Sequence, residues 1–280
     1  MGGKHRPGTP RDRAIGAELR AIREQAGMSL SEVAGAIQWN ISTLSRLERG
    51  LRHISPEAVM GLAVVYNLPA DRRDELVSRA KEPVALGWWD RPPPGVPGDL
   101  GALASYEAEA IRMIDWSPGL LPGLLQTSTF ARAVMRDWGV SDHDVEPRLR
   151  ARVQRQELLG KRDVDYQAFI GMAALTNQLC DASGFVDQLR HVHRLSHRQG
   201  LTIRLVDLPT SFSTASWYLM NFEKAGPVVV LEHLGSSTFL FDEETDPYTT
   251  ARVKLDGIAL SVRATRDRID ALIEQYVLGS

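Results

Sequence analysis

The sequence predicts two folded parts: an all-α N-terminal domain of five helices, then a larger α+β domain with a small sheet and flanking helices. Three observations predict this. Residues 20–50 carry short, capped helical patterns joined by a tight connection. A Pro-rich break, VALGWWDRPPPGVPGDL, fits neither a helix interior nor a central strand. Beyond it α and β signals mix, and Leu201, Ile203 and Leu205 alternate with Thr202 and Arg204 as a half-buried strand should. The expected organisation is a flexible basic arm over 1–13, helices over 14–82, a linker over 83–100 and the α+β domain over 101–280.

In the first helix Leu19, Ile22, Arg23 and Ala26 recur at helical intervals, and Gly27 supplies the positive-φ stop. Ser29 followed by Glu32 is a capping box, so a second helix starts at Leu30 with Leu30, Val33, Ala34 and Ile37 on one side. The pattern breaks at Gln38-Trp39-Asn40. Asn40 is placed to cap a third helix over 41–49, which Gly50 stops. Leu44 and Leu47 pack inward and leave Ser42, Thr43, Ser45, Arg46 and Arg49 on or near the outer face. Ser55-Pro56-Glu57 is a cap, a helix-starting proline and a first-turn acid. It opens a fourth helix whose apolar face is Val59, Met60, Leu62, Ala63 and Tyr66. Asn67-Leu68-Pro69 ends that helix, and Asp71 caps a fifth.

These residues resemble the helix-turn-helix of XRE-type repressors, with Gly27, Ser29, Ala34, Asn40, Ser45, Glu48 and Gly50 in the register of that motif. The resemblance implies a regulator that binds double-stranded DNA and reads it with the third helix. The N-terminal side chains of such a helix meet base edges, which assigns Ser42, Thr43 and Arg46 to the bases. A bidentate Arg46–guanine contact discriminates by roughly 1–3 kcal/mol. Ile41 reads either as a contact to a thymine methyl group or as a closure of the small core. The resemblance assigns Ser29, Arg49, Arg52 and His53 to the DNA backbone and implies a structural ion pair between Arg23 and Glu48. Trp39 reads as core. One such module reads only a short half-site, so a homodimer on a near-palindromic operator is expected.

Composition limits the remaining classes. At 280 residues, 43% hydrophobic and 24% charged, the chain has room for about two ordinary globular domains, and it is neither disordered nor fibrous. It has no run of ~20 apolar residues, and MGGKHRPGTPRDR lacks the apolar stretch of a secretory signal. The single cysteine, Cys180, supports neither an internal disulfide framework nor a cysteine-ligated zinc. The expectation is a cytoplasmic protein without a membrane partner, metal or cofactor. A net charge of −2 hides an asymmetry: residues 1–55 hold nine Lys and Arg against five acids, or +4, leaving −6 elsewhere. The excess includes Lys4, Arg6, Arg11 and Arg13 on the arm.

Past the linker, where Trp88 and Trp89 read as packing residues, strands are expected over 107–116, 166–170, 201–205, 217–222, 228–234 and 238–241. Helices are expected over 128–138, 145–159 and 185–199, from Asp246, and over 265–277. The segments GLLPGLLQTSTFARAVM, ARVQRQELL, LTIRLVDLP and VVVLEHLGSSTFLFD occur in the order seen in WhiJ-like actinobacterial regulators, which the chain resembles over nearly its whole length. That family's C-terminal domain has poorly defined biochemistry. Its genes often neighbour one for a small protein, which implies an antitoxin-like regulatory pair. The chain departs from the family at Met172, where Glu is usual, and at Thr176, where Arg is usual. The matching Pro122, Gly123, Leu124, Leu125, Gln126, Arg152, Arg155, Gln156 and Glu232 read equally as determinants of the fold.

An enzymatic reading finds little support. His193 and His197 share a helix face at metal-binding spacing, yet Arg194 stands where a zinc protease needs Glu, and Arg190 and Arg198 oppose a cation. Asp242, Glu243, Glu244 and Asp246 lack the alternating, Gly-containing loop of calcium sites. There is no nucleophile elbow and no Gly-rich phosphate loop. Two roles remain for the C-terminal domain. One is dimerisation and sensing, with Trp116, Trp217 and Tyr218 lining an effector pocket. The other is docking of a small co-encoded protein, which the chain sequesters while DNA binding serves autoregulation.

Overall fold

In the computed structural model, which describes residues 8–81, 92–161, 165–208, 215–223, 225–233 and 236–278, the first helix begins inside the stretch expected to be an arm. Helix α1 spans Pro10–Gln25, with Pro10 at its first position and a reciprocal capping box between Thr9 and Asp12. Arg11 and Arg13 are therefore helical, and Arg13 is buried. Lys4, Arg6, Trp88 and Trp89 lie outside the described residues.

Gly27, at φ 67°, closes the end of α1 as the sequence predicts. Helix α2 (Leu30–Ala36) starts at the Ser29–Glu32 capping box, and helix α3 (Ile41–Glu48) follows with Asn40 as its cap residue, although the Asn40 side chain makes no cap hydrogen bond. In α4 (Pro56–Val65) the Ser55 side chain accepts from the Ala58 amide. Helix α5 (Ala70–Lys81) takes in Asp71 as a first-turn acid, where it favours the positive end of the helix dipole, rather than as the expected cap. The five helices enclose a core of Ile15, Leu19, Val33, Leu44, Leu47, Ile54, Leu62 and Leu76, each at most 2% exposed.

A sixth helix, α6 (Gly98–Glu109), replaces the beginning of the strand expected over 107–116. Its Ala- and Leu-rich stretch favours helix, and Ala102, Leu103 and Tyr106 are buried on it. It groups with the N-terminal helices into one compact unit that also takes in Phe222–Gly226. Pro92–Pro97, Ala110–Asn221 and Pro227–Ser280 make up the other unit.

The second unit is built on a six-stranded mixed sheet of β1 (Arg112–Ser117), β2 (Asp165–Gly171), β3 (Leu201–Val206), β4 (Trp217–Asn221), β5 (Val228–Glu232) and β6 (Ser237–Phe241). The order is β3-β2-β1-β4-β5-β6, parallel from β1 through β3 and antiparallel from β1 through β6. The parallel crossovers carry α7 (Ser128–Asp137), α8 (Asp142–Gln156) and α9 (Leu158–Lys161), then α10 (Met172–Thr176) and α11 (Ala182–Leu195). Helices α12 (Asp246–Ile258) and α13 (Val262–Leu278) end the chain's described part. One sheet face buries Ile114, Trp116, Phe169, Trp217, Leu219 and Val229 with Leu255 of α12. The edge of β3 is closed by the α12–α13 connection: Leu260 N donates to Leu205 O at 2.8 Å, and Leu205 N donates to Thr265 Oγ1 at 3.0 Å.

Candidate nucleic-acid interface

Helices α2 and α3 are joined by a tight turn in which Gln38 takes φ 55° and the Trp39 amide returns to Ala34 O at 2.8 Å. What fixes α3 lies beneath it. Leu44 and Leu47 enter the core, and Gly16 of α1 lies against the α3 backbone: a Cβ on Gly16 would stand 2.4 Å from Leu47 O. Only glycine permits that approach.

Beside this contact Arg23 clamps Glu48 with two hydrogen bonds, Nε–Oε1 at 2.7 Å and Nη2–Oε2 at 2.9 Å, and also donates to Met28 O at 2.9 Å. Tyr66 Oη donates to the same carboxylate at 3.3 Å. The Glu48 hydrogen bond raises the Arg23 pKa further, and burial followed by Glu48 pushes the Tyr66 hydroxyl above its ordinary range. Both side chains thus keep their protons, and the carboxylate is held by three hydrogen bonds, two from Arg23 of α1 and one from Tyr66 at the end of α4.

With that side anchored, α3 exposes Ser42 and leaves Thr43, Ser45 and Arg46 half-buried, and Arg49, which caps its C-terminal end, is exposed. Ile41 is 52% exposed, so it does not close the core. At the first helical position no preceding turn covers it. Ser29 is exposed, but its hydroxyl and amide are both engaged with Glu32. Arg52 and His53 are exposed in the α3–α4 connection, and His53 Nδ1 lies 3.3 Å from Asp12 Oδ1. Arg52, His53 and Thr43 rim an open groove of about 530 Å³ with Trp39, Leu47, Ser55 and Ala58. Trp39 is half-buried and packs on the core as expected.

Asp12 was not among the expected site residues, yet it organises this edge. Its Oδ2 caps α1 through Thr9, and its Oδ1 accepts from the Ile54 amide at 3.0 Å, tying the start of α1 to the α3–α4 connection. The Thr-Pro-x-Asp pattern that opens α1 is a local signal that could have found it.

The aromatic residues proposed for an effector pocket do not converge. Trp116 and Trp217 pair across β1 and β4 in the core beneath α12, whereas Tyr218, next along β4, stands on the opposite face and donates to Met113 Sδ at 2.8 Å. The matched turn residues are knitted together by amides: Gln156 donates to Gln126 O at 2.7 Å and Gln188 to Leu125 O at 2.8 Å, while Arg152 bonds Gln126. His193 and His197 meet edge-to-face and His193 faces Asp270 at 3.3 Å. Among the described residues no group of three His, Cys, Asp or Glu is placed to hold a metal, and no helix is long and apolar enough to cross a membrane.

Two stretches of the chain match family models. Residues 14–76 match one described as a helix-turn-helix domain, and residues 100–271 match a domain of unknown function, DUF5753. Neither a curated protein nor a solved structure matches the chain. The second match spans more than half of the sequence: the chain belongs to the DUF5753 family, and carries a helix-turn-helix domain at its N-terminus.

Proposed function

We propose that the protein is a sequence-specific DNA-binding transcriptional regulator of the XRE type, and that its DUF5753 domain mediates dimerisation and the response to a partner or effector. The observation that carries this reading is α3 itself, a helix anchored from below by the Arg23–Glu48 pair and Gly16 while its polar and basic side chains face outward. Ser42, Thr43 and Arg46 contact base edges, and the exposed Ile41 packs on a thymine methyl group. Arg49, Arg52 and His53 meet phosphates, which makes binding salt-dependent. Ser29 contributes its position at the start of α2 more than its hydroxyl, which Glu32 already occupies.

The C-terminal domain works by association rather than catalysis in this account. The resemblance to WhiJ-like regulators favours a small co-encoded protein as its partner. Trp116 and Trp217 act there as core rather than as a ligand pocket, consistent with their burial beneath α12.

The test is a fluorescence-anisotropy titration of a duplex from upstream of the protein's own gene against an unrelated duplex, at two salt concentrations. Preferential binding of the upstream duplex, weakened at higher salt, is the expected result. Equal, weak binding of both duplexes, repeated with duplexes enriched from a random library, would contradict the proposal.

A further inference from the structure

The unit that contains the helix-turn-helix is assembled from separate stretches of chain, and two of them, Gly98–Glu109 and Phe222–Gly226, fall almost wholly within the DUF5753 match. Phe222–Gly226 lies in the connection between β4 and β5. Arg13, on the first turn of α1, reaches it: Nη1 donates to Gly226 O at 3.0 Å, and the residue is 5% exposed.

The other side of Arg13 lies against the end of α3. Gly50, at φ 61°, terminates that helix, and a Cβ there would stand 2.4 Å from Arg13 Cα and 2.5 Å from its Cγ. Gly8 crosses Gly50 as closely, since a Cβ on Gly8 would meet Gly50 O at 2.2 Å. Gly8 O accepts from Tyr106 Oη of α6 at 2.6 Å, and the Tyr106 ring meets Phe222 edge-on at 5.9 Å. With the chain itself joining Gly226 to Phe222, these contacts close a ring from the end of α3 through Arg13, Gly226, Phe222, Tyr106 and Gly8 back to the end of α3.

We infer that Arg13 is a positioning residue through which the β4–β5 connection holds the C-terminal end of the reading helix, so that a segment of the DUF5753 stretch sets the protein's affinity for DNA. The inference rests on the DNA-binding reading above. It gives an otherwise unassigned domain a physical route to α3: a change in residues 222–226 reaches Gly50 through one side chain, without touching the DNA-facing surface.

The experiment compares the full chain with Arg13→Met, which keeps the packing on Gly50 but loses the donor, and with Arg13→Lys, which keeps a cation that can donate. Each is titrated on a duplex that the wild-type chain enriches from a random library, and amide hydrogen exchange is followed at Gly50 and Leu51, whose amides bond to Leu47 O and Arg46 O. Arg13→Met should weaken binding roughly fivefold and speed exchange at those two amides while α4 exchanges as before, and Arg13→Lys should restore both. Tyr106→Phe, which removes the bond to Gly8, should act in the same direction and serves if Arg13→Met does not fold. Wild-type affinity and exchange in Arg13→Met would overturn the inference. So would faster exchange throughout the unit without rescue by Lys, which describes mere destabilisation. If the wild-type chain enriches no sequence, the DNA-binding reading fails, and the exchange data still decide whether residues 222–226 hold α3.

Discussion

The two units hold their key carboxylates in opposite ways. Glu48, on the buried side of α3, is clamped by the Arg23 guanidinium, so its charge is matched at the site. Asp115, in the sheet of the second unit, is met by two hydroxyls, Ser117 Oγ at 3.0 Å and Tyr166 Oη at 3.2 Å, and burial pushes its carboxyl up to about 7, with those hydrogen bonds pulling the other way. The first arrangement fixes a helix so that its far side can do work on an outside partner. The second is a polar contact within a sheet, made by a half-buried carboxylate to hydroxyls of its own strand and the next.

Breaking the clamp should have the largest effect. Glu48→Ala strands Arg23 without its carboxylate and should cost about 3–5 kcal/mol, seen as a lower thermal midpoint for the N-terminal unit. Next comes Gly16→Ala, whose new Cβ must displace the α3 backbone at Leu47 O; a loss of roughly 1–3 kcal/mol with weakened DNA binding is expected from parallel melting and titration.

Asp115 sharpens the contrast through pH. Its folded pKa, about 7, lies above the unfolded value near 3.8, so between these values the folded state binds more protons than the unfolded state. Stability through this group should therefore fall as pH rises from about 4 to about 7 and level off above. Asp115→Asn should flatten that part of the profile in denaturant unfolding of the C-terminal unit, and an unchanged slope would reject the assignment. The smallest effect on stability belongs to Arg46→Ala, with a midpoint within about 0.5 kcal/mol of wild type, because its side chain serves the outer face.

Legibility followed the range of the interactions. The capping box at Ser29–Glu32, the stops at Gly27 and Gly50 and the inward Leu44 and Leu47 depend on neighbours within one or two turns, and the residues alone predict them. Asp12 and Arg13 escaped because their partners, the Ile54 amide and Gly226 carbonyl, are 42 and 213 positions away. Their helical setting was hidden by reading the Gly- and Pro-rich start as an arm, although Thr9-Pro10 is a helix-opening pair. In the second domain β3 is legible from the alternation of Leu201, Ile203 and Leu205 with Thr202 and Arg204, yet the topology is not, since parallel pairing of β1 with β2 joins residues across a long crossover. The start of the strand expected over 107–116 is helical instead, since residues 107–109 complete the last turn of α6 and β1 begins only at Arg112. Alternation also argues against the grouping of Trp217 with Tyr218, because successive residues in a strand face opposite ways.

In the proposed function the outer face of α3 reads base sequence from a rigid support. This reading is tested most directly by replacing each base pair of a wild-type-selected duplex in turn and measuring affinity for the wild-type chain and for Arg46→Ala. Arg46→Ala is expected to lose about 1–3 kcal/mol on the selected duplex and its preference at one G·C position per half-site, while keeping the preferences elsewhere and the thermal midpoint. An unchanged preference at every position, or a uniform loss across all of them, would contradict it.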